Sequence, residues 1–536
     1  MHRVQSHRCR RYAWHKSALN KYGDGKGMTT VAGAWVFSGT LRDDSGGRAR
    51  PVSQDSEARA SVPGSATPPG ARGKTATREP LGRIGHALTP LFPQAPEAPR
   101  SGVTLRVILA HLAAIGLGAI VLLERQAGVP AWDTIGEEDR KIFLAGALLH
   151  PWASLFRGYN GYLELVPRLI GEVIARLPYQ DAAAGFALAG ALVAACCAVF
   201  VFHASVGQIR RPGLRALLFL SVLLLPTALY EINDSGVNTP WYLLFALFWA
   251  LVWRPRSRAG MILAFLICFA AAASNVLAVA YAPVVVARVL ALPRVREQAA
   301  TLGWLAGGVL QVPVVLVSSR YNQVPPLAGA LSFYARNVIL AGVGGHHWAA
   351  VATDTLGAVT AAALAGCVVL AVAAWGLLRC GPQARWFVAT ALVTGFLLTM
   401  LPVTVHGYIV LPHEVHTIVF VHGSRYAQVP ILLLYSAVLV SLDAFLSRRG
   451  IRFGRPADFR RAVPGLAALL VVVLAFGSLW AADFRWVNRR ATQPTWATMI
   501  RDVRKECRKP LTPEIRARKL PAGMTCSMVG RAPRRP

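Results

Sequence analysis

Four acidic residues stand close together in the stretch AWDTIGEED, and they are Asp133, Glu137, Glu138 and Asp139. A carboxylate that is held beside a hydroxyl group can take its proton, which is how a general base activates an oxygen nucleophile. The stretch follows an apolar run near 104–123 by about ten residues. These four carboxylates are therefore candidates for a catalytic base.

Three arginines, Arg320, Arg336 and Arg425, stand in otherwise weakly charged stretches of the later chain. The guanidinium group suits phosphate, because its planar donors make bidentate contacts with two phosphate oxygens. An isolated arginine beside an apolar run is also a common anchor for lipid headgroups. Both interpretations stay open. Arg425 is the preferred phosphate ligand because HGSRY places it, with Tyr426, at the head of an apolar run.

Other polar groups are candidates for substrate binding. They are Glu164, Arg168, Asn233, Asp234, Asn238, His413 and His422. The asparagines and Asp234 lie in EINDSGVN, which suits either sugar hydroxyls or a helix cap. The stretch PHEVH, which contains His413, is not the HExxH zinc signature. We expect no resident cofactor, and a divalent metal stays open.

The elements that must position these residues are membrane helices. The 536 residues carry a formal charge of +31 and are nevertheless 54% hydrophobic. A soluble globular domain and a disordered basic protein are excluded by that combination, and scattered charge argues against a nucleic-acid partner. About eleven apolar runs are predicted as spans, near 104–123, 182–204, 214–230, 240–253, 260–274, 276–292, 300–319, 349–378, 386–405, 426–446 and 462–482.

The loops between these runs differ in charge. With a cytoplasmic N-terminus, the short inner loops carry 17 arginines and the short outer loops carry three. This asymmetry is the positive-inside pattern of a multi-pass membrane protein. Nearly all the acidic and histidine candidates then lie on the outer side. The basic tail after residue 482 disagrees with the charge rule, but the parity of the spans places it outside.

The chain divides by composition into three parts. Residues 1–103 are predicted to be a disordered, basic cytoplasmic segment, or in part the product of a misplaced start codon. Residues 104–482 form the transmembrane domain, and residues 483–536 form a basic tail. Cys507 and Cys526 in that tail are the only pair that suggests a disulfide, with a disordered basic tail as the alternative.

The first outer loop contains two amphipathic helices, predicted at 137–149 and 161–178. In the second, Glu164, Arg168, Glu172 and Arg176 recur every four residues as pairs of opposite charge. Helices too charged to span the membrane lie at its interface. We expect them to lie in the interface plane, with capping of the bundle as the alternative.

A first span, an acidic outer loop with interfacial helices and a bundle of further spans together resemble the GT-C-type membrane glycosyltransferases. GYLELVPRL and HGSRYAQVP resemble elements of uncharacterised bacterial membrane proteins of this type. The resemblance covers roughly residues 104–482 and implies that Asp133 or a neighbour serves the acceptor. Asp133 is the first candidate, because the carboxylate of this family lies early in the first outer loop. The resemblance also implies a polyprenyl-phosphate-linked sugar as donor. No DxD motif stands in the first loop.

The sequence thus predicts an all-α polytopic bundle in a bacterial inner membrane, surrounded by membrane lipids and acting as a glycosyltransferase on the outer face. A transporter or flippase of lipid-linked sugars is the alternative, although a transporter should carry ionisable groups at mid-depth or internal repeats. His111 is the only such group seen. A non-catalytic membrane scaffold is the third interpretation.

Overall fold

The computed structural model describes residues 79–95, 104–228, 233, 235–317, 327–405, 424–448, 459–485, 490–510, 520 and 524–530. All named elements in these ranges are helical, which confirms an all-α fold for the described chain. The helices are α1 Glu79–Leu88, α2 Leu105–Glu124, α3 Ala145–Leu149, α4 Leu165–Ile174, α5 Ala182–Ala204, α6 Pro212–Leu224, α7 Thr239–Val252, α8 Arg258–Ser274, α9 Ala282–Ala291, α10 Ala299–Val317, α11 Leu327–Phe333, α12 Ala341–Gly344, α13 His347–Leu356, α14 Ala358–Arg379, α15 Pro382–Val405, α16 Arg425–Arg448, α17 Phe459–Ala482, α18 Trp496–Cys507 and α19 Cys526–Gly530.

Eight helical stretches of the described chain are long and apolar enough to cross a membrane, so the predicted count of eleven is not reproduced. Four predicted spans are shorter apolar helices, at Pro212–Ala228, Thr239–Val252, Arg258–Ser274 and Val276–Ala291. The predicted run 349–378 is broken at Gly357, whose φ of +80° ends α13 before α14 begins. The stretch Leu327–Gly344 qualifies by length and composition, although the sequence pattern did not indicate it.

Helix α7 is the centre of the bundle. All 14 of its residues are buried, including Trp249, whose ring packs at a tilt against Phe387 of α15. Its length of about 21 Å is well below the ~30 Å of a bilayer core, and this is tolerable because other helices surround it. Helices α8 and α10 approach closely because Gly303 and Gly307 face the carbonyls of Phe265 and Phe269. The core is therefore built on close helix contacts.

One end of the bundle, called here the site end, joins the end of α2, the end of α6 and the residues after α17. Arg125 is completely buried there and donates to the carbonyl oxygens of Leu223 (2.7 Å) and Leu225 (3.1 Å). It also donates to the carbonyl oxygen of Asp483 (3.4 Å). The Asp483 carboxylate in turn accepts the backbone N–H of His346 at 2.8 Å. Arg125 thereby satisfies carbonyls that α6 leaves unpaired at its C-terminus.

The opposite end, called the basic end, carries most of the loop arginines. The 79–95 segment lies there, since Gln208 donates to the Leu91 carbonyl at 2.7 Å and the ring of Phe92 lies under Arg288. Arg211 pairs with Asp443 at 3.3 Å. Part of the segment that composition predicts as disordered is thus helical and docked. Residues 1–78 and 96–103 lie outside the described residues.

The C-terminal segment packs against the first loop at the site end. Trp496 of α18 donates from its indole nitrogen to the Tyr179 carbonyl at 3.0 Å, and Val129 donates its N–H to Ala491 at 3.0 Å. Cys507 and Cys526 form a disulfide. Both regions therefore occupy the same end of the bundle, and residues 490–510 are ordered by these contacts.

Candidate functional site

A cavity of about 230 Å³ opens at the site end. It is bordered by two pieces of the first loop, the start of α7, the residue after α8 and the start of α16. Its lining residues are Glu138, Tyr159, Asn160, Tyr162, Glu164, Val237, Asn238, Pro240, Trp241, Asn275, Arg425 and Tyr426. Five residues singled out from the sequence, Glu138, Glu164, Asn238, Arg425 and Tyr426, therefore meet in one cavity.

Glu138 borders the cavity from the first loop. It is half-buried and directly precedes a π-helical turn, Asp139–Leu144. A π-turn inserts one extra residue into a helix and often occurs at functional sites. Glu138 and Asp139 are consecutive helical residues and point in different directions, Glu138 to the cavity and Asp139 to the protein interior.

Asp139 organises the loop before α7. Its carboxylate accepts hydrogen bonds from Ser235 Oγ (2.8 Å), from the N–H of Gly236 (3.2 Å) and from the N–H of Val237 (2.8 Å). Complete burial raises the pKa of Asp139 to about 6, although the bonds from Ser235 and Val237 oppose the shift. A carboxylate with three donors is a structural anchor, and it fixes the loop that presents Asn238.

A tight turn supplies both tyrosines of the cavity. Tyr159 and Tyr162 exchange backbone hydrogen bonds of 2.8 and 3.2 Å, and the central residues Asn160 and Gly161 have φ of +50° and +84°. This is the conformation that Asn-Gly favours in a two-residue hairpin. Burial raises the pKa of Tyr159 to about 12, so both phenols stay neutral hydrogen-bonding groups at ordinary pH.

Glu164 is the most unusual group of the cavity. Its side chain is 4% exposed, and Oε2 has no hydrogen-bond partner among the described residues. Burial raises the pKa of Glu164 to about 8, with Glu138 contributing, against the opposing effects of Tyr162, Arg168 and Arg425. An unsatisfied carboxyl oxygen is costly in a dry environment, so a ligand group placed there would gain a partner.

The face of α4 that carries Glu164 is turned inward. Arg168 and Glu172 are 3% and 2% exposed, and Glu172 accepts hydrogen bonds from Ser154 Oγ (2.6 Å) and the N–H of Trp152 (2.9 Å). Leu169 and Val173 point away from the protein, with 40% and 59% exposure. An outward apolar face fits the predicted membrane-interface position, and the charges serve the interior.

The start of α16 completes the cavity. Arg425 and Tyr426 are its first two residues, and the Tyr426 ring meets the Trp241 ring edge-on at 5.2 Å. Arg425 is close enough to Glu164 and Tyr159 to lower the pKa of each. The site therefore places one guanidinium and two carboxyl groups beside aromatic walls.

Several candidates from the sequence lie elsewhere. Asp133 ends a short helical turn, Ala131–Asp133, and is not among the residues lining the cavity. Glu137 is exposed and pairs with Lys141 one turn on. Arg168 lies behind Glu164, stacked on the Phe143 ring at 5.6 Å. Arg336 lies in a second π-helical turn, Tyr334–Leu340.

Asn233 is buried and accepts a hydrogen bond from the Tyr242 hydroxyl at 2.8 Å, while Arg490 donates to its carbonyl at 2.6 Å. It supports the loop rather than the cavity surface. Asn238 precedes α7 without capping it through its side chain. Arg320, Asp234, His413 and His422 lie outside the described residues.

Sequence reasoning missed Tyr159, Asn160, Tyr162, Trp241 and Asn275. The Asn-Gly pair in GYNGY was a usable signal, since it predicts a tight turn that projects its flanking tyrosines. Asn275 caps the helical turn Val276–Tyr281 by accepting the Leu277 N–H at 2.9 Å. Among the described residues, no group of three or more His, Cys, Asp or Glu is arranged to hold a metal.

The arrangement can bind a polar, ring-shaped ligand that carries a phosphate. Aromatic faces and amides suit sugars, Arg425 suits a phosphate oxygen, and Glu138 can accept a proton. No matching family or curated protein connects this geometry with an established activity. No protein-family model and no curated protein matches the chain.

Proposed function

We propose that the chain is a membrane glycosyltransferase that transfers a sugar from a polyprenyl-phosphate donor to an acceptor hydroxyl at the site end. The supporting observation is the cavity in which Glu138, Glu164 and Arg425 converge. The proposal takes the site end as the outer face of a bacterial inner membrane. This orientation follows from the charge asymmetry of the loops.

Glu138 is the proposed base. It takes the proton of the acceptor hydroxyl while that oxygen forms a bond to the anomeric carbon. The bond from that carbon to the phosphate oxygen breaks, and polyprenyl phosphate leaves with the electron pair. Arg425 stabilises the charge that develops on the leaving phosphate, which is the usual way a site assists such a departure.

Glu164 acts in its protonated form. A pKa of about 8 keeps most of its carboxyl groups neutral at pH 7, so it donates a hydrogen bond instead of repelling the donor phosphate. Tyr159, Tyr162, Trp241 and Tyr426 supply the walls. At about 230 Å³ the cavity is smaller than the ~300–1,000 Å³ of pockets for drug-sized ligands, which suits a single sugar unit.

The test is transfer from radiolabelled short-chain polyprenyl-phosphate monosaccharides into membranes that contain the full chain. Glu138→Gln should lower the transfer rate at least about 100-fold, the typical contribution of a positioned base. Glu124→Gln is the matched control, since Glu124 is exposed and pairs with Arg485 at 2.7 Å outside the cavity. The control should keep the normal rate.

Two results would count against this assignment. Absence of transfer from every donor, with the chain correctly folded by gel filtration, contradicts the glycosyltransferase. If Glu138→Gln transfers at the normal rate and Asp133→Asn does not transfer, then Asp133, the first candidate from the sequence, is the base.

A further inference from the structure

A cluster of two histidines and one arginine lies far from the cavity, between α2, α5 and α6. His111 Nε2 and His203 Nε2 are 2.5 Å apart, and their ring centroids are separated by 4.6 Å. Arg215 lies over the neighbouring Phe202 ring at 4.7 Å and interacts electrostatically with His203. Three groups that carry or accept positive charge thus share one layer of the bundle.

The cluster is at the basic end and faces outward. His203 is in the last turn of α5 and is exposed, and Arg215 is in the first turn of α6. The adjoining surface of α2 is apolar, with Leu109 and Leu112 at 55% and 60% exposure. In a bilayer this surface contacts acyl chains, so the cluster lies where lipid headgroups meet the hydrocarbon.

Carboxylates near the cluster are already engaged. Asp443 interacts with Arg215, but its oxygens accept the N–H groups of Arg210 (3.1 Å) and Arg211 (3.2 Å) and pair with the Arg211 guanidinium. Arg215 Nε is buried without a hydrogen-bond partner in the described part of the chain. A guanidinium donor that is left unpaired beside a lipid-facing surface gains a hydrogen bond from an anion placed next to it.

We propose that His111, His203 and Arg215 bind the phosphate of an anionic phospholipid. Arg215 offers a fork of donors that matches two phosphate oxygens. The histidine whose Nε2 accepts in the His111–His203 hydrogen bond carries its proton on Nδ1, which can donate to a third oxygen. The N-terminus of α6 adds a favourable dipole. The lipid source is favoured over free phosphate because the cluster opens towards the apolar surface of α2, where acyl chains lie beside the headgroup.

The test uses the purified full chain in a zwitterionic detergent. Short-chain phosphatidylglycerol should raise the thermal unfolding midpoint, whereas phosphatidylcholine of equal chain length should not. His203→Gln with Arg215→Gln should weaken the phosphatidylglycerol response at least about tenfold in lipid concentration, as expected for lost charge-assisted hydrogen bonds. Native mass spectrometry should show the corresponding loss of retained anionic lipid.

Arg258→Gln is the matched control, because Arg258 begins α8 as an exposed arginine outside the cluster. It should leave the lipid response intact. An equal loss in Arg258→Gln would overturn the site in favour of general attraction to a basic surface. The single variant His203→Gln changes an exposed side chain and so tests the site in a chain that should still fold. An unchanged response to phosphatidylglycerol in this variant would also overturn the site. An equal shift with inorganic phosphate alone would overturn the lipid as the source.

Discussion

Glu164 shows how a single side chain can couple folding to function. Its folded pKa of about 8 lies above the ordinary value of 4.5 for a solvated glutamate, so ionisation opposes the folded state. The stabilising contribution of the neutral form is complete below pH 4.5 and is lost as the pH rises to about 8.

Glu164→Gln should therefore remove part of the alkaline loss of stability. Glutamine keeps the shape and a hydrogen-bond donor but does not ionise. We expect its thermal midpoint to exceed that of the natural chain at pH 9 and to approach it at pH 5. The corresponding difference in the free energy of unfolding at pH 9 is of the order of a few kcal/mol. Thermal scans in detergent at both pH values provide the measurement. An equal difference in midpoint between the two chains at pH 5 and pH 9 would contradict the assignment.

The sequence predicts which types of side chain form the site, but not which of them face the cavity and which face the protein interior. Glu138 and Asp139 are neighbours, and nothing in EED tells which one reaches the cavity, because Asp139 is held in the interior by hydrogen bonds from Ser235 and Val237. Those partners are about one hundred residues away along the chain. Tertiary contacts of this kind leave no local signal.

At the scale of the element, α4 reverses the usual amphipathic rule. The pattern at 161–178 correctly predicted a helix with separate charged and apolar faces. What the pattern alone did not give is that the charged face lies inward, with Arg168 and Glu172 buried. A helix bordered by lipid buries its polar groups against protein, because the lipid cannot solvate them.

Substitutions on the two faces of α4 should differ accordingly. Arg168→Ala should lower the thermal midpoint markedly, since it removes a buried side chain that packs over the Phe143 ring and donates to the Gly158 carbonyl, at a cost of about 1–3 kcal/mol. Leu169→Ala, its neighbour on the outward face, should change stability by less than about 1 kcal/mol. Thermal unfolding in one detergent compares the two, and a larger effect of Leu169→Ala would show that α4 is oriented otherwise.

At the scale of the whole molecule, the C-terminal segment is a part of the site end. The parity of the predicted spans placed it beside the first loop, and its contacts with Tyr179 and Val129 agree with that position. The number of spans was less predictable. Hydropathy does not distinguish a short buried helix such as α7 from a span, because both are uniformly apolar.

Loss of the Cys507–Cys526 disulfide should loosen this end of the molecule. Cys507→Ser with Cys526→Ser removes a cross-link that closes a 19-residue separation, which is worth about 3 kcal/mol in simple loop models. Amide hydrogen exchange should accelerate in α18 and in Asp139–Leu144, whose Arg140 contacts Met499. Exchange in α7 should stay unchanged, and uniform protection throughout would show that the segment is held without the cross-link.

Arg125 has a consequence for how the protein is made. Arg125 donates to the carbonyl oxygens of Leu223 and Leu225, which follow it by 98 and 100 positions at the end of α6. It also donates to those of Asp483 and Phe484, which follow it by 358 and 359 positions, after α17. During synthesis the guanidinium emerges long before these acceptors exist, so it must wait among hydrated headgroups. The complete set of acceptors exists only after α17 has been made. A chain truncated before α17 would therefore keep the bonds from Arg125 to the end of α6 but lose those to Asp483 and Phe484.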